Sequence, residues 1–126
     1  MFRAVCLLNA LMTLPFAAAV FAAPSFTFDQ FGLEIGAEGA AVARGYGAAA
    51  LGWGLACLLL QRAAARETAT AMLVASLAFN GAELLTQVPI ALSGVASAMI
   101  WTTIIGHAAV ALLSIAAFAR MGTAST

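Results

Sequence analysis

The stretch FNGAELLTQVP, residues 79–89, lies inside a long apolar run yet carries Asn80, Glu83 and Gln87. Spacings of three and four put these side chains on one face of a helix. Glu83 is one of only five acidic residues in 126, and His107 is the only histidine. An ionised Glu or Arg near the middle of a membrane costs about 2.5–3.5 kcal/mol on insertion scales, so it is paired or reaches water. Arg44 is the expected partner of Glu83, with snorkelling of Arg44 to the headgroups as the alternative. A histidine at such a depth can relay protons, bind a quinone-like headgroup or hydrogen-bond a neighbour. Arg44, Tyr46, Asn80, Glu83, Gln87 and His107 are therefore expected to form an intramembrane polar cluster or a ligand-binding site. The competing reading is interhelical glue, worth about 0.6–2 kcal/mol per contact.

Chemistry beyond binding has no motif behind it. The sequence contains no GxSxG, HExxH or phosphate loop, and no nucleophile with an evident base. Catalytic activity is not expected, and no catalytic residue or cofactor is assigned. Cys6 and Cys57 have no metal-ligand spacing and are expected to be small buried apolar residues, so no metal site is expected either.

These side chains need elements to hold them, and composition says what kind. Hydrophobic residues make up 64% of the chain and charged ones 8%, with a mean hydropathy of +1.06 and no lysine. Ordinary soluble domains have roughly 45–50% and about 25%. A soluble domain of this size leaves too much of its surface exposed to hide so much apolar area. Lipid is the expected solvent. With zero formal net charge and no basic tract, nucleic acid is not an expected partner.

A bilayer core needs about 20 apolar residues per helix. Four segments meet that length, at about 4–23, 40–60, 68–89 and 97–119, giving an all-α, single-domain, four-helix transmembrane bundle spanning residues 1–126. The first segment is expected to remain as a helix, kinked or loosened at Pro15, and its rival is a signal peptide cleaved after Ala22. The connection PSFTFDQFGLEIGAEG, residues 24–39, is too short to span but apolar enough to lie at the interface.

With four passes, Arg3, Arg62, Arg66 and Arg120 fall on one side and Arg44 alone near the other. The positive-inside rule then places both termini in the cytoplasm of a bacterial inner membrane. Counting about 1.5 Å per residue from the cytoplasmic ends, Arg44 lies about 24 Å up, Glu83 about 22 Å and Tyr46 about 21 Å, with Asn80 about 18 Å and His107 about 16 Å. Polar stripes also run along the first segment (Cys6, Asn9, Thr13) and the fourth (Thr103, His107, Ser114). All are expected to face the bundle centre. On the second segment, Gly45, Ala49, Gly52 and Ala56 recur at four, three and four, so they are expected to be the helix-packing face. Trp53 is read as packing.

The succession FAAPSF, FGLEIG, ARGYGAAALGWGLACLLLQR, then a helix with Asn and one with His, resembles small bacterial four-helix membrane proteins of unknown function and, loosely, the DoxX-type families. The run at 43–52 is the most specific part. The resemblance implies a four-helix inner-membrane bundle and carries no catalytic residue with it. The leading functional expectation is a small polytopic inner-membrane protein without its own catalysis, serving as an accessory or assembly subunit. Its partners are the lipid bilayer and a membrane protein or further copies of itself. A carrier or sensor for a small amphipathic ligand, a quinone or a lipid, is the second. A membrane-embedded redox enzyme using the two cysteines is the third.

Overall fold

The computed structural model describes residues 1–123. It is all-helical, with α1 Phe2–Ala22, α2 Pro24–Asp29, α3 Ala37–Leu60, α4 Arg66–Leu92 and α5 Ile100–Thr123. Four of the five helices are long and apolar enough to cross a membrane. α2 is the short interfacial piece between the first two. Large apolar side chains point outward along all four long helices, among them Leu11, Val42, Leu85 and Leu112, each at least two-thirds exposed. In water that surface would drive aggregation. Against acyl chains it is the ordinary outer face of a bundle.

α1 is the hub. It packs along α3 on one side and touches α4 and α5 on the other, while α4 and α5 pair with each other. Two apolar clusters record this arrangement. Val5 joins Leu73, Val110 and Ala117 of α4 and α5. Cys6 and Ala10 join Cys57 of α3 and Met72 of α4. Both clusters lie toward the arginine-bearing end. There Arg3 Nε donates to Gln61 Oε1 at 3.3 Å, and Arg66 donates to the Met121 carbonyl at 3.1 Å, near the end of α5.

The small-residue face of α3 is not the one the four-residue spacing suggested. Ala40, Ala43, Gly47, Ala50, Gly54 and Cys57 are buried. Gly45, Ala49 and Gly52 point outward and Ala56 is only half-buried. α3 carries Gly or Ala in several parallel rows, so spacing alone does not select among them. The partner does. A Cβ at Gly54 would fall 2.5 Å from Thr13 Oγ1 and 2.7 Å from Leu14 Cδ2, and one at Gly47 would fall 3.1 Å from Val20 Cγ1. α1 therefore lies against the row in which backbone contact is closest. A Cβ at Gly45 or Gly52 would meet nothing within 4 Å.

The far end is closed by backbone geometry. Pro24 starts α2 at a position where its missing N–H costs nothing. The chain then reverses at Gly32, whose φ of +73° favours glycine. The same residue is pinned from outside, since a Cβ there would lie 3.0 Å from the Ser97 amide nitrogen. That amide donates to the Phe31 carbonyl at 2.6 Å, and the Ser97 hydroxyl donates to the Gln30 carbonyl at 2.9 Å. Ser97 is thus spent in the α4–α5 loop, which explains why α5 starts at Ile100 rather than at 97. α4 continues three residues past Pro89 to Leu92, because a proline removes one donor without forbidding the next turn.

Gly54→Ala should cost about 1–3 kcal/mol, the range for overpacking, because the atoms it meets sit on the neighbouring helix. Gly52→Ala should be neutral or stabilising by up to about 1 kcal/mol. Equilibrium unfolding in mixed micelles separates the two. Equal effects would mean that α1 does not pack on the Gly54 row.

Candidate functional site: a polar junction beneath an aromatic cavity

Each polar side chain reaches the interior from its own helix stripe. From α1 comes Asn9, from α3 Trp53, from α4 Ser76 and Asn80, and from α5 His107 and Ser114. Asn9 is 1% exposed and fully satisfied. Its amide nitrogen donates to the Val5 carbonyl at 3.0 Å and to Ser76 Oγ at 2.9 Å. Its Oδ1 accepts from Trp53 Nε1 at 3.1 Å and from Asn80 Nδ2 at 2.9 Å. One amide thereby joins α1 to α3 and α4.

Directionality propagates from that amide. Ser76 Oγ accepts from Asn9, so it donates to Ser114 Oγ, 3.0 Å away, and Ser114 donates on to the Val110 carbonyl at 2.8 Å. Asn80 Nδ2 spends its hydrogens on Asn9 Oδ1 and the Ser76 carbonyl. Its own oxygen then faces His107 Nδ1 at 2.8 Å. The network assigns the proton to Nδ1. In the neutral ring this leaves Nε2 as a lone-pair acceptor. No buried side-chain nitrogen or oxygen among the described residues lacks a partner.

A second chain lies one turn farther toward α2. The Tyr46 hydroxyl donates to Glu83 Oε1 at 2.5 Å, and Gln87 Nε2 donates to Glu83 Oε2 at 2.8 Å. Thr103 Oγ1 donates to Gln87 Oε1 at 2.6 Å. The chain ties α3 to α4 and α4 to α5. It matters because α3 scarcely touches α4 or α5 through backbone proximity. Side chains bridge the gap: Tyr46 to Glu83, and Trp53 over Phe79 with centroids 5.8 Å apart.

The gap is a cavity of about 580 Å³ between the helices, roofed by Phe28, Phe31 and Leu33. Glu83, Gln87, Thr103 and His107 line one wall, and Phe16, Tyr46 and Phe79 line the others. The aromatic rings meet edge to face: Phe16 on Phe28 at 6.4 Å, Phe16 on Tyr46 at 5.6 Å, and Phe79 on His107 at 6.0 Å. Such pairs hold ring faces at steep angles to one another.

Five of the six residues expected in the cluster come together here: Tyr46, Asn80, Glu83, Gln87 and His107. Arg44 does not. It is exposed, and among the described residues no ion pair joins it to Glu83. Residues two positions apart on a helix are about 200° apart around its axis. With Tyr46 facing inward, Arg44 must face away, so matching depth was an insufficient guide.

The expected set omitted Asn9, Trp53, Ser76, Thr103 and Ser114. Asn9, Thr103 and Ser114 lay on recognised inward stripes. Ser76 stands four residues before Asn80 on the same face, a signal that was present. Trp53 also packs, but it donates its indole N–H to a buried acceptor as well, which only the partner reveals.

Asn9→Leu should cost about 1–3 kcal/mol, because it strands the Trp53 and Asn80 donors in an apolar interior. Ser114→Ala should cost about 0.6 kcal/mol, the average for an interhelical contact in lipid, since the Ser76 hydroxyl can turn elsewhere. Unfolding in detergent measures both, and an Asn9→Leu variant as stable as Ser114→Ala would refute the junction.

Comparison with protein-family models, with curated proteins and with solved structures finds no match to this chain, so a functional reading rests on the chemistry of the cavity.

Proposed function

We propose that this chain is a multi-pass protein of a bacterial inner membrane that binds a small amphipathic molecule in the cavity beneath α2, as a carrier or sensor. The observation that carries the proposal is the cavity itself. Its volume of about 580 Å³ falls within the roughly 300–1,000 Å³ of small-molecule sites. It combines a mostly apolar, aromatic surface with a few convergent polar groups, the make-up such sites share. A bundle needing only interhelical glue has no use for an unfilled space flanked by Glu83 and His107.

The positive-inside rule supports the orientation. Arg3, Arg62, Arg66 and Arg120 belong to the end opposite the cavity, which supports cytoplasmic termini and a cavity in the outer leaflet. A ligand would then partition from that leaflet. The reading assigns the chain no bond-making step.

A second reading, an accessory subunit of a larger membrane assembly, is favoured by the uncovered row of Gly45, Ala49 and Gly52 on α3. Such rows allow close helix–helix approach in lipid. Native mass spectrometry after gentle solubilisation reads both possibilities, as bound small-molecule mass or as copy number and partner mass.

Gly106→Leu tests the cavity. Its side chain would enter the cavity wall, where the nearest atom to a new Cβ is the flexible Met12 Cε at 2.9 Å. The variant should fold and lose the bound mass. Retention of the ligand by a folded Gly106→Leu protein would place the site elsewhere.

A further inference from the structure

The charge pattern of the cavity identifies a ligand class. This inference rests on the cavity being a binding site and adds what it selects. Of all the lining residues, Glu83 alone carries a formal charge. Both of its oxygens accept hydrogen bonds, from Tyr46 and from Gln87. A donor placed at each oxygen stabilises an ionised carboxylate. Arg44, the basic residue expected at matching depth, is turned outward. The carboxylate therefore has hydrogen-bond donors but no counter-charge among the described residues that line its cavity.

The remaining polar atoms point the same way. Tyr46 gives its hydrogen to Glu83, Thr103 gives its own to Gln87 Oε1, and Thr13, Thr86 and Thr102 give theirs to backbone carbonyl oxygens. His107 Nδ1 faces Asn80. Apart from one N–H of Gln87, what is left over accepts: lone pairs of Glu83, of the Tyr46 oxygen and of His107 Nε2. Five aromatic rings, Phe16, Phe28, Phe31, Tyr46 and Phe79, also line the cavity. Their faces are negative, and aromatic enclosures around a carboxylate attract organic cations electrostatically. An anionic ligand would meet a carboxylate, aromatic rings and almost no donors. A neutral ligand would leave the charge of Glu83 unbalanced.

We infer that the cavity binds a lipophilic organic cation, with Glu83 as its counter-charge and the surrounding aromatic rings as its cage. An apolar body suits the phenylalanine walls, and a delocalised or quaternary charge is readily desolvated into such a site. The cation also supplies the partner that Arg44 does not.

Equilibrium binding of radiolabelled tetraphenylphosphonium to the purified full chain in detergent tests this, with tetraphenylborate as an anion of the same shape and triphenylphosphine oxide as a neutral probe. Wild type should bind the phosphonium saturably, at about one per chain. Glu83→Gln should weaken binding by roughly tenfold or more, the loss expected when a charge-assisted contact is removed. Tyr46→Phe should weaken it less, because the rings stay and only one carboxylate donor is lost. Triphenylphosphine oxide should not displace the cation at comparable concentration, and tetraphenylborate, assayed in a separate sample because it precipitates the phosphonium, should show no saturable binding.

If tetraphenylborate or the phosphine oxide binds as well as the phosphonium, or if Glu83→Gln binds like wild type, the inference of a cation falls while the cavity reading survives. Undiminished phosphonium binding by folded Gly106→Leu would overturn both. Absence of saturable phosphonium binding to folded wild type would also overturn the cation inference, and the native mass spectrum then decides the cavity reading by itself. Should Glu83→Gln fail to accumulate, Glu83→Asp serves in its place: it keeps the charge and shortens the reach, and is expected to retain measurable phosphonium binding.

Discussion

An amide side chain in an apolar interior must find a partner for every donor and acceptor it carries, and this bundle is organised around one that does. Asn9 sits on α1, the helix that touches all the others. Its two hydrogens and two acceptor positions are all engaged, by α1 itself, by α3 and by α4. Leaving such a group unpaired costs about 1–3 kcal/mol in a protein interior. The apolar contacts between helices are individually interchangeable, since lipid tails are as apolar as leucine. The polar junction is not interchangeable, so it fixes rotation and register. The orientation of Asn80, and through it the protonated nitrogen of His107, follows from where Asn9 points.

The division of the molecule into a solid end and a hollow end has the same origin. Toward the arginine-bearing end, Val5, Cys6 and Ala10 fill the space among α3, α4 and α5. Beyond Asn9 no comparable apolar cluster among the described residues joins α3 to the α4–α5 pair. Two side-chain bridges, Tyr46 to Glu83 and Trp53 to Phe79, hold the separation. The Gly32 turn and Ser97 draw the segment after α2 over the opening. A cavity survives in a small bundle because its walls are braced by directional contacts rather than filled.

Much of the candidate site was legible in the sequence. Asn80, Glu83 and Gln87 recur at helical spacing, and rise per residue put Asn80 near the level of His107. What misled was Arg44. Depth along a helix and rotation around it are separate coordinates, and agreement in the first says nothing about the second. Tyr46, two residues on, already occupied the inward direction. The rows on α3 failed for a related reason. Several stripes of Gly and Ala met the spacing rule, and the choice belonged to Thr13, Leu14 and Val20 on the other helix.

The sequence by itself determined that four long apolar helices form, that a short amphipathic piece separates the first two, and which faces of α1, α4 and α5 are polar. Those are properties of composition and of the 3.6-residue period, both local to one segment. Only the tertiary structure decided which face of α3 meets α1, that Glu83 pairs with Tyr46 and Gln87 rather than Arg44, and that a cavity remains beneath α2. Each depends on the rotation of one helix relative to another. That rotation is set by interlocking contacts between residues distant in the chain, such as Asn9 with Trp53 and Asn80, which no single segment encodes.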